Sequence, residues 1–120
     1  MEISQLRYLV TVAEQGSFTQ AARRLKLSQP SLSLAIKKLE DEVGQPLFDR
    51  LTRRVVPTAA GERMLETARR VLADLDQTAC EVRDLKGEVS GTLRIGAIPT
   101  IGPFVLPGAI AAFTAQYPGV

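Results

Sequence analysis

The chain has 120 residues, 45% hydrophobic and 23% charged, with a formal net charge of +2. That balance fits one globular domain, or a small domain with an attached element, and excludes a disordered polyelectrolyte. The absence of histidine and the single cysteine exclude His-based catalytic pairs, most zinc sites and any internal disulfide. No metal or cofactor is expected, and the composition points to a binding module in a reducing cytoplasm rather than to an enzyme. Met1 to Gln5 lacks the pattern of a secretory signal. No apolar run is long enough to cross a bilayer.

Charge is unevenly placed. Residues 1–57 hold nine basic and six acidic side chains, whereas 58–90 hold five and seven. Residues 91–120 hold only Arg94. A mildly basic head is compatible with nucleic acid and equally with a solvated surface.

The first helix is expected over Gln5–Gln15, with Ser4 as N-cap. Ile3 and Tyr8 sit at staple positions around that cap. Leu6, Leu9, Val10 and Ala13 form its apolar stripe, and Gly16 stops it. The second helix follows at once. Ser17 and Gln20 make a capping-box pattern, and Phe18, Ala21, Ala22 and Leu25 are the stripe. Lys26-Leu27-Ser28 is the turn. Ser28 can cap a third helix, with Pro30 tolerated in its first turn, where N–H groups have no helical partner. Leu32, Ile36, Leu39 and Val43 are the stripe of this helix, and Gly44 ends it.

Two helices joined by a three-residue turn read as a helix-turn-helix. Any three-helix bundle would share the periodicity, and the turn lacks the glycine often found there. The outer face of the third helix favours the first reading. Gln29, Ser33, Lys37 and Lys38 can hydrogen-bond base edges and phosphates.

Leu47 to Pro57 reads as two short strands around a turn with three arginines. Such a ribbon can be a wing that reaches a phosphate backbone or minor groove, or a hairpin tip charged for solubility. Thr58 can cap a helix running to about Lys86, roughly 43 Å long at 1.5 Å per residue. Leu65, Ala68, Leu72, Leu75, Ala79 and Val82 make a heptad-like seam longer than a small head can cover. A second copy of the chain is the economical partner. Cys80 lies beside the seam and reads as a small helix residue.

Gly91 introduces Thr92 to Ile98, which reads as a strand. A loop from Pro99 to Pro103 and a helix from Phe104 to Tyr117 follow. Strand then helix is the opening of a βαβ unit. A lone strand leaves its backbone groups unpaired.

The order of parts resembles the LysR-type bacterial transcriptional regulators. The residues that carry the resemblance are Phe18-Thr19-Gln20-Ala21-Ala22-Arg23-Arg24-Leu25, Leu27-Ser28-Gln29-Pro30-Ser31-Leu32-Ser33 and Ile36-Lys37-Lys38-Leu39-Glu40. Leu47-Phe48-Asp49-Arg50, Arg53-Arg54-Val55 and Thr58-Ala59-Ala60-Gly61 add to it. It covers the first 86 residues, and Gly91 to Val120 resembles the start of the family's effector domain.

The resemblance implies a mainly α architecture: a winged helix-turn-helix (1–57), a dimerising linker helix (58–88) and an incomplete α/β stub (89–120). The family is far longer than 120 residues, so most of the sensor is expected to be missing. By the same resemblance, Gln29, Pro30, Ser33 and Lys37 face DNA, Ser31 touches phosphate, and Arg50, Arg53 and Arg54 serve the wing. Lys38 lies beside them. Leu34 stands where the family often has arginine. It offers an apolar contact to a thymine methyl, or none at all. Pro57 replaces a usual leucine and should sit on an unpaired strand edge. Thr100 matches a hydroxyl residue near the family's effector cleft.

The expected partners are double-stranded DNA with inverted-repeat half-sites and a second copy of the chain, in the bacterial cytoplasm at the nucleoid, with no membrane. The rival is a coiled-coil interaction module without specific DNA binding. The sequence names no operator, effector or contact with RNA polymerase.

Overall fold

A computed structural model describes residues 1–51, 53–87, 91–100 and 102–120. Thr52 of the expected wing tip, the expected boundary at 88–90, and Ile101 lie outside them. Among the described residues, three helices come first: α1 (Ile3–Gln15), α2 (Phe18–Leu25) and α3 (Gln29–Val43). A two-stranded antiparallel ribbon of β1 (Phe48–Asp49) and β2 (Val56–Pro57) follows. Then come α4 (Ala59–Asp84) and α5 (Gly102–Gln116). The chain divides into two compact units, 1–73 and 74–120.

In the first unit, caps set the helix starts. Ser17 Oγ accepts the Gln20 N–H at 3.2 Å, and Ser28 Oγ accepts the Ser31 N–H at 3.2 Å. Ser4 is not the cap of α1. The Glu2 N–H donates to Gln5 Oε1 at 2.8 Å, so the helix begins two residues earlier, and the Ser4 hydroxyl faces the Glu2 carboxylate. At the end of α2, Lys26 takes the left-handed conformation that glycine usually supplies, with φ of 57°.

Leu6, Leu9 and Val12 of α1 meet Ala21 and Ala22 of α2 and Leu32, Ile36 and Leu39 of α3 in one core. The ribbon adds Phe48, and the segment before it adds Leu47. Phe18 and Phe48 pack edge to face, with centroids 5.9 Å apart. Leu65 and Ala68 of α4 close this core and are buried. They are therefore not free to meet a second copy, which corrects the expectation that they belong to the dimerisation seam. Pro57 pairs opposite Phe48. In a two-stranded ribbon each strand keeps one open edge, so its missing N–H is tolerated.

In the second unit, Thr92–Ile98 is not a strand. A strand needs a ladder partner, and no second strand lies beside these residues in the described part of the unit. Thr92, Leu93 and Ile95 line an apolar cleft of about 500 Å³ with Leu106, Ile110 and Phe113 of α5. Helix α5 starts earlier than expected, and Pro103 sits in its first turn, where no N–H is needed. No described helix is long and apolar enough to cross a membrane.

Candidate nucleic-acid interface

Helix α3 buries Leu32, Ile36, Leu39 and Glu40 and turns most of its other residues out. Gln29, Pro30, Ser31, Leu34, Lys37 and Lys38 are exposed, and Ser33 is half-buried. At the N-terminus, the Ser28 hydroxyl donates to Ser31 Oγ at 2.7 Å. Gln29 Oε1 accepts a hydrogen bond from the Thr19 hydroxyl of α2 at 3.1 Å. One turn before the helix ends, Lys37 Nζ pairs with Asp41 at 2.8 Å, the helical i, i+4 spacing. The hydrogen bond and charge of Asp41 raise the Lys37 pKa, so the ammonium stays charged at any physiological pH. Leu34 is 56% exposed, a large apolar side chain on an otherwise polar face.

The ribbon stands beside this face, and one carboxylate organises its base. Glu40 is buried on α3. Its Oε1 accepts the Leu47 N–H at 3.0 Å, and its Oε2 lies 3.6 Å from the Arg50 guanidinium. The Arg50 guanidinium carbon also sits 4.5 Å from the centre of the Phe18 ring, a cation–π contact. Asp49 Oδ1 accepts the Leu51 N–H and starts the turn. Arg53 is exposed near the tip. Arg54 lies across Gly16, whose φ of 64° suits glycine; a Cβ there would collide with Arg54 Nε. The Gly16 carbonyl accepts the Val55 N–H at 3.1 Å. Thus Arg50 and Arg54 brace the ribbon against the helices, whereas Arg53 extends from it.

The Glu40 carboxylate gives a direct test. Glu40→Ala would leave the buried Leu47 N–H unpaired and remove the counter-charge of Arg50. The expected loss is about 1–3 kcal/mol of unfolding free energy. Urea denaturation measures it, and an unchanged midpoint would show that the carboxylate does not hold the ribbon base.

Residues 3–62 match the family described as bacterial regulatory helix-turn-helix protein, lysR family. The chain belongs to the lysR family. Residues 86–120 match the LysR substrate binding domain. A probable RuBisCO transcriptional regulator of Guillardia theta is 42% identical over 98% of this chain and 38% of its own length. A cysteine-to-serine mutant of OxyR from Corynebacterium glutamicum with bound hydrogen peroxide superposes with a TM-score of 0.76. It is 38% identical over 99% of this chain and 37% of its own. The DNA-binding domain of BenM, solved in complex with benA site 1 DNA, gives a TM-score of 0.70. It is 38% identical over 72% of this chain and 97% of its own. The chain spans about 38% of the length of the curated relatives it matches.

In this lysR-family chain, the sequence reading and the structure agree on the outward face of α3. Leu65 and Ala68 lie in the core of the head, and Arg50 and Arg54 make contacts to the helices from the ribbon. Leu72 is half-buried, whereas Leu75, Ala79 and Val82 are exposed. Thr100 is exposed in the turn before α5. Sequence reasoning assigned no role to Thr19 or Glu40. The pair Thr19 and Gln29 is ten residues apart across a turn, so no helical period links them. Glu40 follows Ile36 by one turn and borders the buried stripe, which was the available signal for its burial.

Proposed function

We propose that this chain binds double-stranded DNA as a homodimer and supplies the DNA-binding part of a transcription regulator. Helix α3 enters the major groove, and the β1–β2 ribbon follows the flanking backbone. The observation that carries this reading is the exposed polar face of α3, from Gln29 to Lys38, with Arg53 on the adjoining ribbon. The likeness to a BenM domain solved on DNA supports it. Gln29, Ser33 and Lys37 read or flank base edges, Pro30 and Leu34 offer apolar contacts to thymine methyls, and Ser31 and Lys38 reach phosphates. The chain carries out no chemistry of its own. It contains no histidine, and the relatives it matches are regulators.

The proposed organisation is a DNA-binding head (1–57), a linker helix (58–88) and the start of an effector domain (89–120), in which Thr100 marks a vestigial effector position. A regulator of this kind works in the cytoplasm at the nucleoid.

Selecting bound duplexes from a random pool tests the reading. A two-fold protein should enrich an inverted repeat. Gln29→Ala should change the preferred base at one position per half-site. Arg53→Ala should weaken binding to all sequences and flatten the slope of log affinity against log salt by about one. A pool without enrichment would reject specific DNA binding, and an unaltered slope would reject a phosphate contact by Arg53.

A further inference from the structure

Thr19 lies on the exposed side of α2, and its hydroxyl donates to Gln29 Oε1 at 3.1 Å. The bond bridges the turn between the two helices. A glutamine amide has one acceptor oxygen and two N–H donors on nitrogen. Reading adenine in the major groove uses both ends: the oxygen accepts from N6, and the nitrogen donates to N7. Here the oxygen is drawn toward α2. The nitrogen has no hydrogen bond among the described residues and is the end left to donate.

We propose that Thr19 sets the base specificity of Gln29 by presenting it as a donor. This rests on the reading of α3 as the recognition helix. An amide held in that way matches an edge that only accepts. Guanine offers O6 and N7, and thymine offers O4. It does not match the paired donor and acceptor of adenine. Thr19 need not touch DNA; it is a positioning residue for the side chain that does.

Thr19→Val keeps the branched shape and removes the donor. The position is exposed, and the Ser17 cap and the buried face of α2 are untouched. Thr19→Ser keeps a hydroxyl and serves as the conservative variant. Selection from a random duplex pool is run on the wild type, Thr19→Val, Thr19→Ser and Gln29→Ala, each as the full chain. The wild type should prefer guanine or thymine at the position that responds to Gln29→Ala. Thr19→Val should raise the relative affinity for adenine there by about five- to tenfold, the scale of one freed base contact. Thr19→Ser should keep the wild-type preference. A wild-type preference for adenine would overturn the proposal. So would an unchanged preference in Thr19→Val where Gln29→Ala does respond, and that result would leave the recognition helix standing. No response to Gln29→Ala would overturn base readout by Gln29 and this proposal with it.

Discussion

Gly61→Ala should lower the melting temperature of the head by about 4 °C or more. Gly61 lies in the first turn of α4 and is buried. A Cβ there would fall inside the contact distance of the Leu47 carbonyl oxygen and press on the Pro57 side chain. The obstacle is backbone, so no rotamer change relieves it. The same carbonyl accepts the Thr58 N–H at 3.0 Å. The Thr58 hydroxyl donates to the Pro46 carbonyl at 2.7 Å and accepts the Gly61 N–H at 3.0 Å. Moving Leu47 aside would break this lacing and draw a fully buried leucine out of the core. Two effects compete. Alanine is the better helix former by about 1 kcal/mol. Overpacking costs about 1–3 kcal/mol, and a lost hydrogen bond about 1 kcal/mol more. The clash wins. A net loss of about 1–3 kcal/mol lowers the midpoint by about 4–8 °C for each kcal/mol in a head of this size. Calorimetry reads it. A midpoint at or above the wild-type value would show that α4 does not enter against the Leu47 carbonyl.

That close approach was not legible in the sequence, where Gly61 is one small residue in an Ala-Ala-Gly run. What was legible followed from local rules. Ser17 and Ser28 cap their helices as the pattern requires, because the acceptor and the orphan N–H are three residues apart. Ser4 failed by the same kind of rule, since Glu2 and Gln5 satisfy each other first. The apolar stripes of α2 and α3 named most of the buried core, with Leu25 and Val43 only partly buried at its edge. On α1 the stripe missed Val12, which is buried, whereas Val10 and Ala13 are only partly so. At the candidate site, the exposed residues of α3 followed from its period. Glu40 did not, because a carboxylate in a helix ordinarily reads as surface. Its burial depends on Leu47 and Arg50, which return to α3 through a loop. Residues 92–98 have strand composition, but composition supplies no ladder. Pairing is a property of two segments, and the sequence reading had only one.

Leu75→Asp should convert a dimer into a folded monomer, and the burial along α4 says why this position is the one to change. The a/d period runs without a break from Leu65 to Val82, yet periodicity does not say which surface covers each residue. Leu65 is 1% exposed and Ala68 fully buried in the head's own core. Beyond Leu72 the seam opens: Leu75 is 42% exposed and Val82 is 55% exposed. Apolar residues continuing at that spacing past the head's cover fit a helix that packs against a second copy of itself. An aspartate at 75 would place an unpaired charge in that contact, at a cost on the order of several kcal/mol. In the isolated chain it would stand largely in water and harm little. Leu65→Ala should do the reverse. It removes a buried side chain from the core, costs about 2–5 kcal/mol of folding stability, and acts on the head rather than on the seam. Sedimentation and thermal unfolding of both variants separate the two effects. The wild type should sediment as a dimer at micromolar concentration. Leu75→Asp should sediment as a monomer with the head's transition retained, whereas Leu65→Ala should melt early. A monomeric wild type, or a Leu75→Asp chain that stays dimeric, would reject the seam beyond Leu72 as the contact between copies. Loss of the dimer should also weaken binding to an inverted repeat far more than binding to a single half-site, because two linked recognition helices raise each other's effective concentration on the DNA.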